Sequence, residues 1–327
     1  MRILRGCLWI VPLSVGLAAP SPVIVDTDAG TDDLMAIAFL LARKDVRIEA
    51  ITIADGLAHV QAGGANILRM LQAAGASGIP VYLGRSEPLE RTAPFPAEWR
   101  QTSDTLPGVT LPASARPPER VPATDFLTAR LADSGRPIRI LALGPLTNLG
   151  DAIRRAPKIV RGISELVIMG GAIRVRGNLD DGGFFKTSNS TAEWNIFHDP
   201  LAAEIVFRSG VNILMVPLDA TNKVPIDVAF LAELSRMHTA LAGVVTQILE
   251  TERALIEQKI FFAWDPLAAA ALVDSSVITS RRLAVRVLRR APEEGRTKEV
   301  SGRSNARVAL DANPKAFRRV FLSAFKE

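Results

Sequence analysis

Residues 23–33 read VIVDTDAGTDD, four aspartates within eight positions directly behind a β-branched apolar run. A short Val/Ile run reads as a strand buried on both faces of a parallel sheet. It ends in Asp26, Asp28, Asp32 and Asp33, so negative charge gathers at the strand's carboxyl end, where open α/β sheets place their ligands. Four carboxylates that close repel one another until a cation neutralises them, and an all-oxygen donor set suits a hard ion such as Ca²⁺ or Mg²⁺. Gly30 lets the turn close, and LMAIAFLLA continues at helical spacing. Acids at a helix N-terminus also meet the helix dipole favourably, but one or two serve that purpose and four exceed it. An EF-hand is excluded, because Ile37 stands where its twelfth-position glutamate belongs.

Beyond this motif, apolar strands alternate with helical stretches. VRIEAITIADG is a strand stopping at Gly56, a helix is expected over 61–74, and IPVYLG is a third strand. Residues 85–122 carry eight prolines and read as a long loop over the sheet, with Trp99 in its FPAEWR segment. A helix over 123–134 leads to the strands PIRILALG, SELVIMGG, VNILMVPLD and finally LAVRVL, while 227–260 reads as a helical cap beside the site. The expected fold is α/β: a doubly wound, mostly parallel sheet flanked by helices, forming one domain over residues 20–327.

Residues 1–19 are set apart. Two arginines precede GCLWIVPLSVGLAA, too short to span a membrane, which is a secretory signal pattern with a cut near Ala18–Ala19. The expected location is therefore periplasmic or secreted, with no stable membrane anchor. Cys7, the only cysteine, leaves with that segment, so no disulfide framework is available. Net charge falls from +5 to +3 on loss of Arg2 and Arg5. The remaining basic residues are scattered and aromatics are few, which argues against a nucleic-acid partner.

Each polar motif follows an apolar strand, so the motifs converge at one edge of the sheet. They supply carboxylates and carboxamides, able to bind a hard cation and a polyol and to activate water. A Ser–His–Asp mechanism lacks its parts, since His59, His198 and His238 lie in no nucleophile motif.

DTDAGTDD, LALGPLTNL, VIMGGA, AEWNIFHDP, VPLDAT and AWDP occur here in the order in which the nucleoside hydrolases carry them. The resemblance runs from Val23 to beyond Val273 and includes the inosine-uridine preferring enzymes. It implies a small ribonucleoside substrate, a Ca²⁺ ion held by Asp28, Asp33, Asp265 and the carbonyl of Leu143, and Asp28 as general base toward the attacking water. It implies that Asp32, Asn178, Glu193 and Asn195 grip the ribose hydroxyls, with Met169 beneath the sugar. Trp264 resembles the base-stacking tryptophan of the purine-preferring branch, where other branches place a protonating histidine, and Trp99 is a candidate second wall. Relatives of this kind form dimers or tetramers, so self-association is expected.

Other readings stand beside these. Trp264 would also suit a core aromatic ahead of a helix capped by Asp265 with Pro266 in its first turn. Glu193 would suit a solvated acid, Asn195 a turn cap, and the Asp219 and Thr221 pair turn stabilisation. The chain departs from the pattern at Ala29, where a proline is common, and at Leu57, where many members carry an asparagine that contacts the catalytic water. Asn178 lies unusually far from Glu193, and Asn189 competes for its role. A phosphotransferase of the haloacid dehalogenase kind shares Asp-x-Asp after a strand but needs a later acidic pair that is not found. A calcium-dependent nucleoside or sugar binding protein without turnover is the alternative that Leu57 keeps open.

Overall fold

The computed structural model describes residues 20–326 apart from Arg91, Ser134, Asp181 and Gly182, so the expected signal segment, residues 1–19, lies outside the described residues. Nine strands make one sheet: β1 (Ser21–Thr27), β2 (Val46–Ile53), β3 (Val81–Leu83), β4 (Ile138–Ala142), β5 (Ile163–Met169), β6 (Ile213–Val216), β7 (Ile278–Val287), β8 (Thr297–Val300) and β9 (Ala306–Ala312). Their order is β3-β2-β1-β4-β5-β6-β9-β7-β8. The strands from β3 through β9 in that order run parallel, and β7 and β8 finish the far edge antiparallel. After β3 the chain returns to the opposite side of β1 to form β4. The order reverses there, and a crevice opens beyond the carboxyl ends of the two strands.

Period-two alternation divides the core into two layers. Val23 and Val25 of β1 pack in one and Ile24 in the other; Leu141, Val167 and Leu214 share the first layer, Ile140, Ile168 and Met215 the second. The first layer also receives the helix Thr31–Leu41 and, packed against it, the helix Trp264–Val273. Four consecutive alanines, Ala268–Ala271, let that second helix sit close to its neighbour while buried on nearly every side. Both helices begin at the crevice, so their first turns bring Asp32, Asp33 and Asp265 to the same place.

Three details differ from the sequence expectation. The proline-rich stretch contains a helix, Ala97–Thr105, so Trp99 stands on a regular element rather than on a loop. Prolines at 94, 96 and 107 flank that helix without entering it, and Pro96 immediately precedes its first residue. Strand β9 has few strong β-formers, yet it fills the gap between β6 and β7, whose backbone groups need partners. The late strand LAVRVL is only the second half of β7, which is antiparallel. The cap forms as expected, from helices Val228–Leu234, Ala240–Thr251 and Arg253–Glu257.

Candidate active site

At the end of β1 the chain turns through Ala29, whose φ of 57° is a left-handed conformation that proline, fixed near −65°, cannot adopt. The turn is tied locally: the Ala29 N–H donates to Thr27 Oγ1 at 3.0 Å and the Gly30 N–H to Asp33 Oδ2 at 3.0 Å. Gly63 supplies the room, since a Cβ there would stand 3.0 Å from the Ala29 methyl. Thr27 Oγ1 donates to the other oxygen of Asp33. One carboxylate oxygen from each of Asp32, Asp33 and Asp265 lies within 4.8 Å of the others. Asp28 flanks the same group, directly against Asp33. Asp32, expected on the ribose, thus stands close to the expected ligands Asp33 and Asp265, with Asp28 against Asp33 beside them.

Asp28 is buried and held from three directions. The Leu57 N–H donates to its Oδ2 at 2.7 Å. A Cβ on Gly56 would fall 2.0 Å from that same oxygen, and one on Gly144 would fall 2.8 Å from the Asp28 Cβ, so only glycine fits either position. Beneath the turn, Asp26 accepts from Thr52 Oγ1 at 2.5 Å and from Asn148 Nδ2 at 2.8 Å, which locks β1 to its neighbours.

No Lys, Arg or His pairs with Asp28, Asp32, Asp33 or Asp265 among the described residues, and the buried Asp265 Oδ1 has no hydrogen-bond partner there. Burial pushes the carboxyl of Asp28 well above the ordinary range, and the charge of Asp33 raises it further. Asp265 is raised in the same way, by burial and then by Asp33 and Asp32. Asp32 is pushed up to about 8 by burial and the Asp33 charge, and Asp26 to about 6 chiefly by burial. Such a set is unfavourable as it stands. An orphaned buried oxygen among all-oxygen donors fits a hard divalent cation and would not suit a soft one.

The opposite wall comes from β5 and the short helix Trp194–His198. Glu193 caps that helix by accepting from the Asn195 N–H at 3.0 Å and also accepts from the Gly171 N–H at 2.8 Å; burial raises its carboxyl to about 7. Asn195 Nδ2 donates to the Leu143 carbonyl at 2.7 Å and contacts Met169 through its carbonyl and sulfur at 3.3 and 3.4 Å. The Leu143 carbonyl, expected to be a metal ligand, therefore already accepts one bond and retains a second lone pair. Asn178 and Asn189 separate clearly. Asn178 accepts from the Trp194 N–H at 3.2 Å and lines the cavity. Asn189 spends both amide ends within its own loop and on the Glu294 carbonyl, and lies off the cavity.

These walls enclose a cavity of about 590 Å³ that includes every expected site residue: Asp28, Asp32, Asp33, Leu143, Met169, Asn178, Glu193, Asn195, Trp99, Trp264 and Asp265. Its outer end is aromatic. Trp264 sits edge-on to Phe261 and Phe262, with centroids 5.4 and 5.8 Å away, and Trp99 sits edge-on to Phe184 and Trp194 at 5.9 and 5.8 Å. The helix bearing Trp99 is clamped from behind: Arg100 forms a buried ion pair with Asp55 at 2.6 Å, and Asn66 Nδ2 donates to the Ser103 and Asp104 carbonyls at 3.0 Å. His198 stands 3.3 Å from the same Asp55. His59 pairs with Asp104 on the surface and does not reach the cavity, and Asp219 holds the loop after β5 by accepting from Ile173 and Arg174 at 2.8 Å. Sequence reasoning missed Glu252, Phe261 and Phe262. The phenylalanines adjoin AWDP and were within reach of it, but Glu252 sits in a charged helical stretch, TERALIEQK, where nothing distinguishes it from a solvated acid.

Comparison with known proteins agrees with this geometry. The profile of the family "Inosine-uridine preferring nucleoside hydrolase" matches residues 23–319. Uridine nucleosidase 1 of Arabidopsis thaliana is 31% identical over 268 residues, 81% of this chain and 77% of the relative. Pyrimidine-specific ribonucleoside hydrolase RihA of Salmonella arizonae is 34% identical over 70% of each chain. Among solved structures, a purine-preferring ribonucleoside hydrolase from Gardnerella vaginalis superposes with a TM-score of 0.80 at 26% identity, covering 93% of this chain and 98% of the other. The plant nucleoside hydrolase PpNRh1 superposes with a TM-score of 0.79 at 30% identity, covering 94% and 99%. The doubly wound sheet, the acid cluster at its switch point and these matches lead to one conclusion: the chain belongs to the inosine-uridine preferring nucleoside hydrolase family and is an N-glycosyl hydrolase of ribonucleosides.

Proposed function

We propose that this chain is an exported, calcium-dependent hydrolase that splits purine ribonucleosides into free base and ribose. The observation that carries the reading is the placement of Asp32, Asp33 and Asp265 within 4.8 Å of one another, beside Asp28, on the floor of a cavity whose outer end is aromatic. Asp28, Asp33 and Asp265, with the Leu143 carbonyl and the adjacent Asp32, would hold the cation. When bound, a divalent ion of this kind lowers the pKa of water and so makes it a nucleophile near neutral pH.

The chain's own residues account for the rest. Asp28, oriented by the Leu57 N–H, takes the proton of the water that attacks the anomeric carbon. Glu193, Asn195, Asn178 and Asp32 hold the ribose hydroxyls, with Met169 under the ring, and the surrounding carboxylates stabilise the oxocarbenium-like charge that develops on the sugar. Trp264 has no titratable group, so it promotes departure by stacking on the base, which makes the base easier to protonate from solvent as the C1′–N bond breaks, and its broad indole face favours a purine. The pyrimidine-specific relatives make this preference the part most in need of a direct test. The stretch GCLWIVPLSVGLAA behind two arginines supports the proposed export.

Leu57 lines the cavity where the family resemblance implies an asparagine, although its N–H still orients Asp28, and this favours weak turnover as a second reading. Product analysis on a nucleoside panel, with and without a chelator, tests both. Hydrolysis of purine ribosides that stops on chelation supports the calcium-dependent purine hydrolase; slow release of product beside tight binding supports weak turnover. Cleavage of deoxyribosides as fast as ribosides would contradict the grip on the sugar.

A further inference from the structure

Glu252 directly follows the cap helix Ala240–Thr251 and lines the cavity, whose lining also includes Leu255, Ile260, Phe261, Phe262 and Trp264. Among the described residues its carboxylate has one hydrogen bond, from Thr31 Oγ1 at 3.2 Å. Neighbouring Arg253 is engaged by Glu250 at 2.7 Å and Glu257 at 3.9 Å instead, and no cation pairs with Glu252 among the described residues. A carboxylate offers about four acceptor sites. This one is half-buried, lines a cavity whose outer end is aromatic, and accepts from a single side-chain donor among the described residues. Burial accordingly raises its carboxyl, an effect that the Thr31 hydroxyl only partly offsets.

The rim around it is unusual as well. Of six exposed large apolar side chains among the described residues, three line this cavity: Phe184 at 55%, Leu255 at 37% and Ile260 at 50% exposure. Apolar groups gathered at a cavity mouth are what a flat ligand covers, and a carboxylate on the same lining with acceptor sites still open suits donors on that ligand's edge.

We infer, resting on the hydrolase reading above, that Glu252 is a specificity-determining residue that reads the donor edge of the nucleobase and selects 6-oxopurines. Guanine presents N1–H and its 2-amino group as two parallel donors, which one carboxylate accepts together. Hypoxanthine presents N1–H alone. Unsubstituted purine presents no donor on that edge, and adenine turns the lone pair of N1 toward the carboxylate.

The test compares kcat/KM of the wild type and Glu252→Gln, a substitution of nearly equal shape, on guanosine, inosine, adenosine and purine riboside. Expected for the wild type is the order guanosine, inosine, purine riboside, with about 10- to 100-fold between first and last, the scale of a hydrogen bond to a charged group. In Glu252→Gln the carboxamide accepts from the 6-amino group of adenine and donates to N1, so the guanosine-to-adenosine ratio swings toward adenosine by ~10-fold or more. A structural role for Glu252 would lower all four substrates by the same factor, and that result, or an unchanged ratio, overturns the inference while leaving the hydrolase reading intact. A wild type that cleaves none of the four overturns both.

Discussion

The floor and the rim of this cavity are built on different principles. The floor consists of strand ends and first helical turns: Asp28 follows β1, Leu143 follows β4, and Asp33 and Asp265 open two buried helices that pack together. Its geometry is set by sheet register and by glycines that admit nothing larger. The rim comes from the helix Ala97–Thr105, tied to Asp55 through Arg100, from the loop carrying Phe184, and from the cap, whose Val244, Val245, Ile248 and Leu249 pack in the first core layer with the helix Thr31–Leu41. A rigid floor suits chemistry common to all substrates, and a separately anchored rim leaves the choice of base free to vary. Relatives named for purines and for pyrimidines sharing one fold agree with that division.

If the division holds, damage to the floor stops turnover whatever the base, and damage to the rim changes which base is taken. The largest effect is expected from Asp28→Ala, a loss of ~10³-fold or more in kcat on every nucleoside, with the far-ultraviolet circular dichroism unchanged. A variant within about tenfold of wild type would remove Asp28 from the role of base. Gly56→Ala comes next, because its methyl meets Asp28 Oδ2 at 2.0 Å. It should cost about 10²-fold in kcat with little change in KM, as a misplacement near 1 Å does; a normal kcat would mean the turn yields freely.

Metal removal has a signed pH dependence. Asp32 and Asp26 titrate near 8 and 6 in the fold against an ordinary 3.8, so their protonated forms are favoured by folding. The stability this contributes is full below about pH 4 and is lost as pH rises through 6 and 8. Thermal melts of chelated protein should therefore fall between pH 5 and pH 8, and added Ca²⁺ should restore the loss most at pH 8. A chelated protein whose melting temperature rises over that interval would show that the cluster is satisfied some other way. The smallest effect belongs to the rim: Trp264→Ala should lower kcat/KM for purine nucleosides by about tenfold, the worth of one stacked base, and change pyrimidine nucleosides less. Equal losses for both classes would tie Trp264 to the floor instead.

Legibility in the sequence followed the same boundary. The floor residues could be named because strand and helix punctuate the chain around them: VIV before DTDAGTDD, LAL before GPLTN, and the start of a buried helix at AWDP. The rim was harder. Trp99 was visible but its helix was hidden among prolines, and Asn189 looked as good as Asn178 until the fold turned one into its own loop. That Asp32 stands with Asp33 and Asp265 in the tightest trio, with Asp28 against Asp33, was not legible either, nor was the left-handed turn at Ala29, a conformation that local propensity assigns to glycine or asparagine.

Local pattern by itself determined the alternation of elements, the parallel sheet and the gathering of acids at one strand end, since all three depend on neighbours in the chain. Only the tertiary structure decided which acids share a site, that Glu252 joins them from the cap, and that Arg100 braces the wall behind Trp99. Asp32 and Asp265 stand 233 residues apart in the chain, Thr31 and Glu252 221, and Asp55 and Arg100 45, and the proximity of groups so far apart follows from how layers pack rather than from any local signal.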